Sequence, residues 1–317
     1  MNAIEVSGLE KRFGPITAIG GIDFSVRDGE TFGFLGPNGA GKTTTIRILT
    51  GVARPTKGRA AIFGHDVVNE TLAAKKHLGI VTEVSNIYDD LTGWQNVAFA
   101  GSLYNVPRAE IQKRGTELLE QFGLLERQHD RAKGYSKGMK RRLCIAMGLV
   151  NAPRLLFLDE PTSGLDVQSN LIIRQVIRDL NREGVTIFLT THNIEEANLT
   201  CERVAIINHG QIAAIDTPER LKRAISSVQS VEVAFDRVIP SLQDDLTGLP
   251  GVNELRKEGD KFRLLTSDPP ALLLQVMDYA HQHGLAVIRV CTLGPTLEDV
   301  FIRLTGIELP AEGKDAW

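Results

Sequence analysis

The chain has 317 residues, 42% of them hydrophobic and 24% charged, which is ordinary globular composition and length enough for two domains. Its net charge of −3 gives no general electrostatics for nucleic acid. Three cysteines (Cys144, Cys201 and Cys291), odd in number and without CxxC spacing, point to a reducing cytoplasm and no structural metal.

The start, Met1-Asn2-Ala3-Ile4-Glu5-Val6, has neither the basic nor the apolar part of a signal peptide. No stretch reaches the ~20 apolar residues of a spanning helix, so any membrane role is expected to run through a partner chain. Residues 4–6, 22–26 and 31–35 read as strands broken by Gly and Asp, and 60–63 and 79–82 as two more, with a short helix at 72–77 between them. From Leu91 the texture is helical. Thr92-Gly93-Trp94-Gln95 fits a capping box, and Ile111, Leu118, Leu119 and Phe122 repeat on one face of a helix that Gly123 ends. A further helix follows Ser136 and stops at Asn151-Ala152-Pro153, so residues of about 90–152 form a helical insertion in an α/β domain. Strands at 154–159 and 185–191 enclose a helix with Ile173, Val176, Ile177 and Leu180 as its buried face. A hairpin turned at Asn208-His209-Gly210 follows, and Thr217-Pro218 opens a short helix. Beyond about 226 the pattern becomes that of a small α+β domain, 227–308, with strands at 231–235, 255–257, 261–266 and 285–292 and helices at 271–283 and 296–305. A tail, 309–317, is expected to be disordered.

Residues 36–43 read Gly-Pro-Asn-Gly-Ala-Gly-Lys-Thr between a strand and a helix, the arrangement of a phosphate-cradling P-loop. Gly36, Gly39 and Gly41 allow a tight backbone whose N–H groups aim inward. Lys42 adds a charge for the β- and γ-phosphates, Thr43 a hydroxyl for Mg²⁺, and the following helix its positive end. In Leu155-Leu156-Phe157-Leu158-Asp159-Glu160, a buried strand delivers two carboxylates at its C-terminal end. Asp159 is expected to hold Mg²⁺ and Glu160 to polarise the attacking water as general base. Tyr135-Ser136-Lys137-Gly138-Met139-Lys140-Arg141-Arg142 opens a helix. A basic run there is ordinarily a solvated face, but its place between the P-loop and the acidic strand argues for an anion site built on Ser136, Gly138 and the helix amides.

Those three segments, with Ser163-Gly164-Leu165-Asp166 and Thr191-His192, stand in the order found in the ATP-binding subunit of an ABC transporter, which residues of about 1–220 resemble. The resemblance implies a P-loop NTPase core with a helical and an antiparallel β subdomain, and an ATPase domain spanning 1–226. It assigns ATP binding to Phe13 (stacked on adenine) and to Gly36, Pro37, Asn38, Gly39, Ala40, Gly41, Lys42, Thr43 and Thr44. It assigns the switch role to His192, Mg²⁺ to Thr43 and Asp159, and the ATP of an opposite subunit to Ser136, Gly138 and Asp166. Composite sites of that kind imply an ATP-dependent homodimer. Two positions depart from the family pattern. Met139 replaces the usual Gln of the signature, and Glu83 replaces a Gln that normally contacts Mg²⁺ and the attacking water and reports to the membrane subunit. As a carboxylate Glu83 can still bind Mg²⁺, but it adds negative charge beside the phosphates.

Pro295-Thr296-Leu297-Glu298-Asp299-Val300-Phe301 and Leu304-Thr305-Gly306 are similar to the ending of drug-, polysaccharide- and sodium-exporter ATPases, and unlike the added domains of importers. The implied protein hydrolyses ATP to power export through a separate permease, on the cytoplasmic face of the cell membrane and in contact with it only through that permease. The alternatives are a soluble ABC ATPase of DNA repair, translation or cluster assembly, or a regulatory protein that uses ATP as a switch. The coiled coil of the first and the paired ATPase domains of the second are not in the sequence, and intact Glu160 and His192 favour turnover over a switch.

Overall fold

A computed structural model describes residues 1–225 and 229–306. The chain divides into two compact units, Met1–Thr217 and Pro218–Trp317. The division falls slightly before the boundary expected near residue 226, because the helix beginning at Pro218 packs on the last helix of the second unit. The expected tail, 309–317, lies outside the described residues.

The first unit opens with a long antiparallel hairpin, β1 (Asn2–Phe13) and β2 (Ile16–Arg27). Its strands run well past the expected 4–6 and 22–26. Register shifts interrupt the alternation after Val6, and the outer ends are exposed, so period-2 patterning marks only the buried middle. Then come β3 (Thr31–Leu35), α1 (Lys42–Leu49), β4 (Lys57–Ile62), β5 (His65–Asp66), α2 (Thr71–Lys75) and β6 (Leu78–Val81). Three helices follow: α3 (Gly93–Leu103), α4 (Arg108–Gln121) and α5 (Lys137–Leu149). Thr92 closes the expected capping box on α3, and Gly123 (φ 63°) ends α4. The unit finishes with β7 (Leu155–Asp159), α6 (Val167–Arg182), β8 (Thr186–Thr191), α7 (Ile194–Thr200), β9 (Arg203–Asn208) and β10 (Gln211–Asp216).

Two sheets result, an antiparallel one in the order β2-β1-β4-β5 and a six-stranded one in the order β10-β9-β3-β8-β7-β6. In the larger sheet only β10 is antiparallel. Every residue of β3, β7 and β8 is buried, as strands in the middle of a parallel sheet covered on both faces should be. Phe24 of the small sheet stacks on Phe32 at 5.8 Å, and Phe34, Phe157 and Phe188 complete the aromatic core. Because β3, β8 and β7 are adjacent and parallel, the segments that leave their C-terminal ends meet at one edge, where open α/β sheets bind ligands.

The second unit comprises α8 (Pro218–Arg223), β11 (Gln229–Phe235), α9 (Leu242–Thr247), β12 (Val252–Glu258), β13 (Lys261–Thr266), α10 (Pro269–Gln282), β14 (Val287–Leu293) and α11 (Leu297–Thr305). Its antiparallel sheet has the order β12-β13-β11-β14. Val231, Val233, Phe262 and Leu264 on one face form a core with Leu242 and Leu246 of α9 and Leu272 and Val276 of α10. The opposite face carries Arg263, which alternates with Phe262 and Leu264 and donates to Asp299 of α11 at 2.9 Å.

Candidate active site

The loop between β3 and α1 needs glycine at two points for different reasons. A Cβ on Gly36 would stand 2.4 Å from the Ile207 carbonyl oxygen. Gly41 has φ 108°, and a Cβ there would meet the Ala18 carbonyl at 2.7 Å. Gly36, Ala40 and Gly41 are buried, Pro37 and Thr44 half-buried, and Asn38 and Gly39 exposed at the tip. Gly41 brings no side-chain cap to α1. The first-turn amides are thereby left to an anion, as a phosphate site requires. Lys42 is 6% exposed and folds back over the loop, its Nζ donating to Gly36 O at 2.6 Å and Pro37 O at 3.2 Å.

The acids arrive from β7, two strands away. Asp159 accepts from Thr43 Oγ1 at 3.1 Å, and its other oxygen accepts from the Thr190 hydroxyl. Glu160 has a left-handed backbone, φ 48°, a conformation that costs a residue with a side chain on the order of 1–3 kcal/mol and gathers at functional sites. Its N–H donates to Thr190 O at 3.0 Å. Its carboxylate lies between the Lys42 ammonium and the His192 imidazole, 3.2 Å from Lys42 Nζ and 2.8 Å from His192 Nδ1. Glu160 is only 7% exposed, whereas the His192 ring is 49% exposed and forms the solvent side of the cluster.

Lys42, Thr43, Asp159, Glu160 and His192 are thus one constellation. Ser136, Gly138 and Asp166 make a second. Ser136 caps α5, its Oγ accepting from Met139 N at 3.2 Å. That bond uses the backbone of residue 139, so the Ser136 cap forms with methionine in place of the family's glutamine. Gly138 packs so tightly that a Cβ would lie 2.2 Å from Ser169 Oγ. Ser169 also bonds Asp166, the cap of α6, through both its N–H and its hydroxyl, each at 2.8 Å. These bonds hold the exposed Asp166 carboxyl below the ordinary range. Phe13, at the end of β1, is 51% exposed and therefore no core residue; Lys11 Nζ sits 4.8 Å from its ring centre. Glu83, just past β6, is exposed, and the carboxylate partner of Lys42 is Glu160.

Three neighbours of the site escape a reading of the sequence. Thr190 orients Asp159. Thr162 donates to Glu196 at 2.7 Å, and burial pushes the Glu196 carboxyl up. The only sign of Thr190 is a Thr-Thr pair closing an otherwise apolar strand, and nothing local marks Thr162 or Glu196. The basic run 137–142 is also more divided than a solvated face or an anion site. Arg142 donates to Phe122 O at 2.7 Å, and Arg141 is buried.

A glycine-rich loop on the central strand, an acid pair two strands away and a histidine closing the strand between define a P-loop nucleoside-triphosphate hydrolase. Residues 19–163 match the model of the ABC transporter family. The Nod factor export ATP-binding protein I of Ralstonia nicotianae is 37% identical over 307 residues, 96% of this chain and 94% of its own. The linearmycin resistance ATP-binding protein LnrL of Bacillus subtilis is 33% identical over 96% of this chain and 98% of its own. The daunorubicin/doxorubicin resistance ATP-binding protein DrrA of Streptomyces peucetius is 36% identical over 96% and 92%. Among solved structures, cbiO1 of Clostridium perfringens, part of an ABC transporter complex, aligns with TM-score 0.64 and 26% identity over 71% of this chain and 94% of its own. A dimeric ATP-binding cassette bound to ADP and Pi aligns with TM-score 0.61 and 26% identity over 68% and 98%. The chain belongs to the ABC transporter family as an ATP-binding, ATP-hydrolysing subunit.

Proposed function

We propose that this ATPase powers export through a separate membrane permease, working as an ATP-dependent homodimer on the cytoplasmic face of the cell membrane. The observation that carries the reading is the placement of Glu160 between Lys42 and His192 at adjacent strand ends. Phe13 stacks on adenine and residues 36–44 cradle the phosphates, with Lys42 on the β/γ pair. Glu160 orients the attacking water and takes its proton, and His192 contacts the γ-phosphate. Ser136, Gly138 and Asp166 of a second copy complete the site from across the dimer. The hydroxyl–carboxylate pair Thr43 and Asp159, 3.1 Å apart, suits a hard cation that takes few protein oxygens and keeps several waters. These two residues would hold Mg²⁺, with Glu83 as a further candidate. Among the described residues no cluster of three or more His, Cys, Asp or Glu could hold a metal, which fits an ion shared with the phosphates rather than caged by protein. Bound there, the ion neutralises charge on the phosphates.

Export is supported by the relatives' names, and a permease partner by a groove of about 460 Å³ beside the Glu83 segment. Ile80, Tyr88, Phe99, Leu103 and Tyr104 line it, and Leu103 is 67% exposed. No helix among the described residues is long and apolar enough to cross a membrane, so the spanning element is assigned to the partner. Glu160→Gln keeps the shape of the site and removes the base. Hydrolysis should fall about 10²–10⁴-fold, and a dimer should accumulate with ATP and Mg²⁺ in size-exclusion chromatography. A variant that stays monomeric under those conditions refutes the composite site.

A further inference from the structure

Arg141 is 4% exposed, yet among the described residues none of its hydrogen bonds goes to a carboxylate. Its guanidinium faces backbone carbonyls instead. Nη2 donates to Asp159 O at 2.7 Å and Nε to Pro161 O at 2.8 Å. These are the carbonyls on either side of Glu160, the residue with φ 48°. On its other side the same guanidinium donates through Nη1 to Thr82 O at 2.5 Å and Glu83 O at 3.4 Å.

A left-handed residue with a side chain persists only where its surroundings over-determine it. Here one planar fork binds the peptide oxygens both before and after the strained residue, and turning Glu160 back to an ordinary conformation would break at least one of those bonds. A planar fork with five donors in fixed directions holds these separated carbonyls at set positions; the three donors of an ammonium radiate from one atom on a flexible stem and do not span them in the same way. Arg141 also stands on α5, the helix that begins at Ser136, so a shift of that helix carries the fork with it.

We propose that Arg141 is the positioning residue that holds Glu160 in its catalytic backbone conformation and couples it to the Glu83 segment and to the helix bearing Ser136. The proposal rests on the ATPase reading above. Arg141 touches neither substrate nor reacting atoms. It acts through the aim of Glu160, so its loss should reach turnover and leave nucleotide binding in place.

The test compares full-length wild type, Arg141→Lys, Arg141→Gln, Glu160→Gln and Arg141→Lys/Glu160→Gln. Steady-state ATPase, ATP affinity by calorimetry and Tm are measured for each. Arg141→Lys keeps the charge and loses the fork, and its kcat should fall roughly 10–100-fold, as misplacement of a reacting group by about 1 Å does. ATP affinity should stay within about threefold of wild type, and the double variant should hydrolyse no more slowly than Glu160→Gln alone. Wild-type kcat in Arg141→Lys, an equal loss of affinity and turnover, or additive losses in the double variant would each overturn the proposal. Arg141→Gln serves as the second single variant if Arg141→Lys lowers Tm too far to assay. A wild-type protein that does not hydrolyse ATP would instead overturn the ATPase reading itself.

Discussion

Each unit of the molecule buries a cluster of charges, and the two clusters are built on opposite principles. In the second unit Asp299 takes Arg263 at 2.9 Å on one oxygen and Arg256 at 3.0 Å on the other. Thr296 adds its N–H and hydroxyl, and Arg263 continues to Ser230 at 3.0 Å. Asp299 stands in an ordinary capping box on α11. In the first unit the Glu160 carboxylate stands between one ammonium and one half-exposed imidazole, the adjacent Asp159 accepts from the Thr43 and Thr190 hydroxyls, and the backbone at Glu160 is left-handed. Buried charge is common to both, so burial does not mark the active site. The marks are unequal compensation and strain in the first, against full compensation on relaxed backbone in the second. The exporter-like ending 295–301 therefore works here as a clamp that docks α11 on the sheet.

The sharpest way to break this comparison is Lys42→Ala. Removing the ammonium paired with Glu160 should weaken ATP binding by about 100-fold or more, in line with truncation of one member of a buried charge pair. Near-normal affinity by calorimetry would show that the first cluster is as structural as the second. Asp299→Asn tests the other side. It leaves buried Arg263 with only the exposed Glu258 carboxylate, 3.8 Å away, and should cost the second unit about 3 kcal/mol in denaturant unfolding while ATP affinity stays unchanged. A change in ATP affinity as large as the change in stability would erase the distinction. The same residue gives a pH dependence. Burial alone would push the Asp299 carboxyl up, but Thr296 and Arg263 outweigh it and hold it below its ordinary value. A depressed carboxyl stabilises the folded form above the unfolded pKa, about 3.9, and the contribution disappears as pH falls through the lower folded value. The contribution of Asp299 to the second unit's stability should therefore be lost only below about pH 4, and Asp299→Asn should flatten that limb of the curve. The smallest effect is expected at Glu83. If its carboxylate crowds the phosphates, Glu83→Gln should raise turnover or ATP affinity about two- to fivefold, a modest change because the charge is exposed and screened. A fall in both quantities would make Glu83 a Mg²⁺ ligand instead.

What could be read from the sequence follows from how local each rule is. The glycines at 36 and 41, the cap at Thr92, the helix that follows Ser136 and the strands ending at Asp159 and Thr191 depend on near neighbours, and all stand where expected. The outer halves of β1 and β2 did not show, because bulges break their alternation. Helix α9 did not show because six residues carry only two buried apolar positions, Leu242 and Leu246. The inward turn of Arg141 was illegible for a different reason. Its partners are carbonyls at Thr82, Asp159 and Pro161, brought close only by the tertiary fold, and a carbonyl carries no residue-specific signal.

The strand order described above also sets a schedule for the chain as it is made. The all-buried β3 pairs with β8 and β9, whose first residues, Thr186 and Arg203, are synthesised long after Leu35. Thr43 waits equally for Asp159, 116 positions on. At about 5–20 residues per second, β3 spends on the order of ten seconds outside the ribosome without its neighbours in the sheet. Parallel pairing across such separations is slow, and an unpaired apolar strand invites aggregation. Substitutions that leave the finished site untouched but expose β3 for longer should therefore appear as poor soluble yield, with normal activity in the fraction that folds.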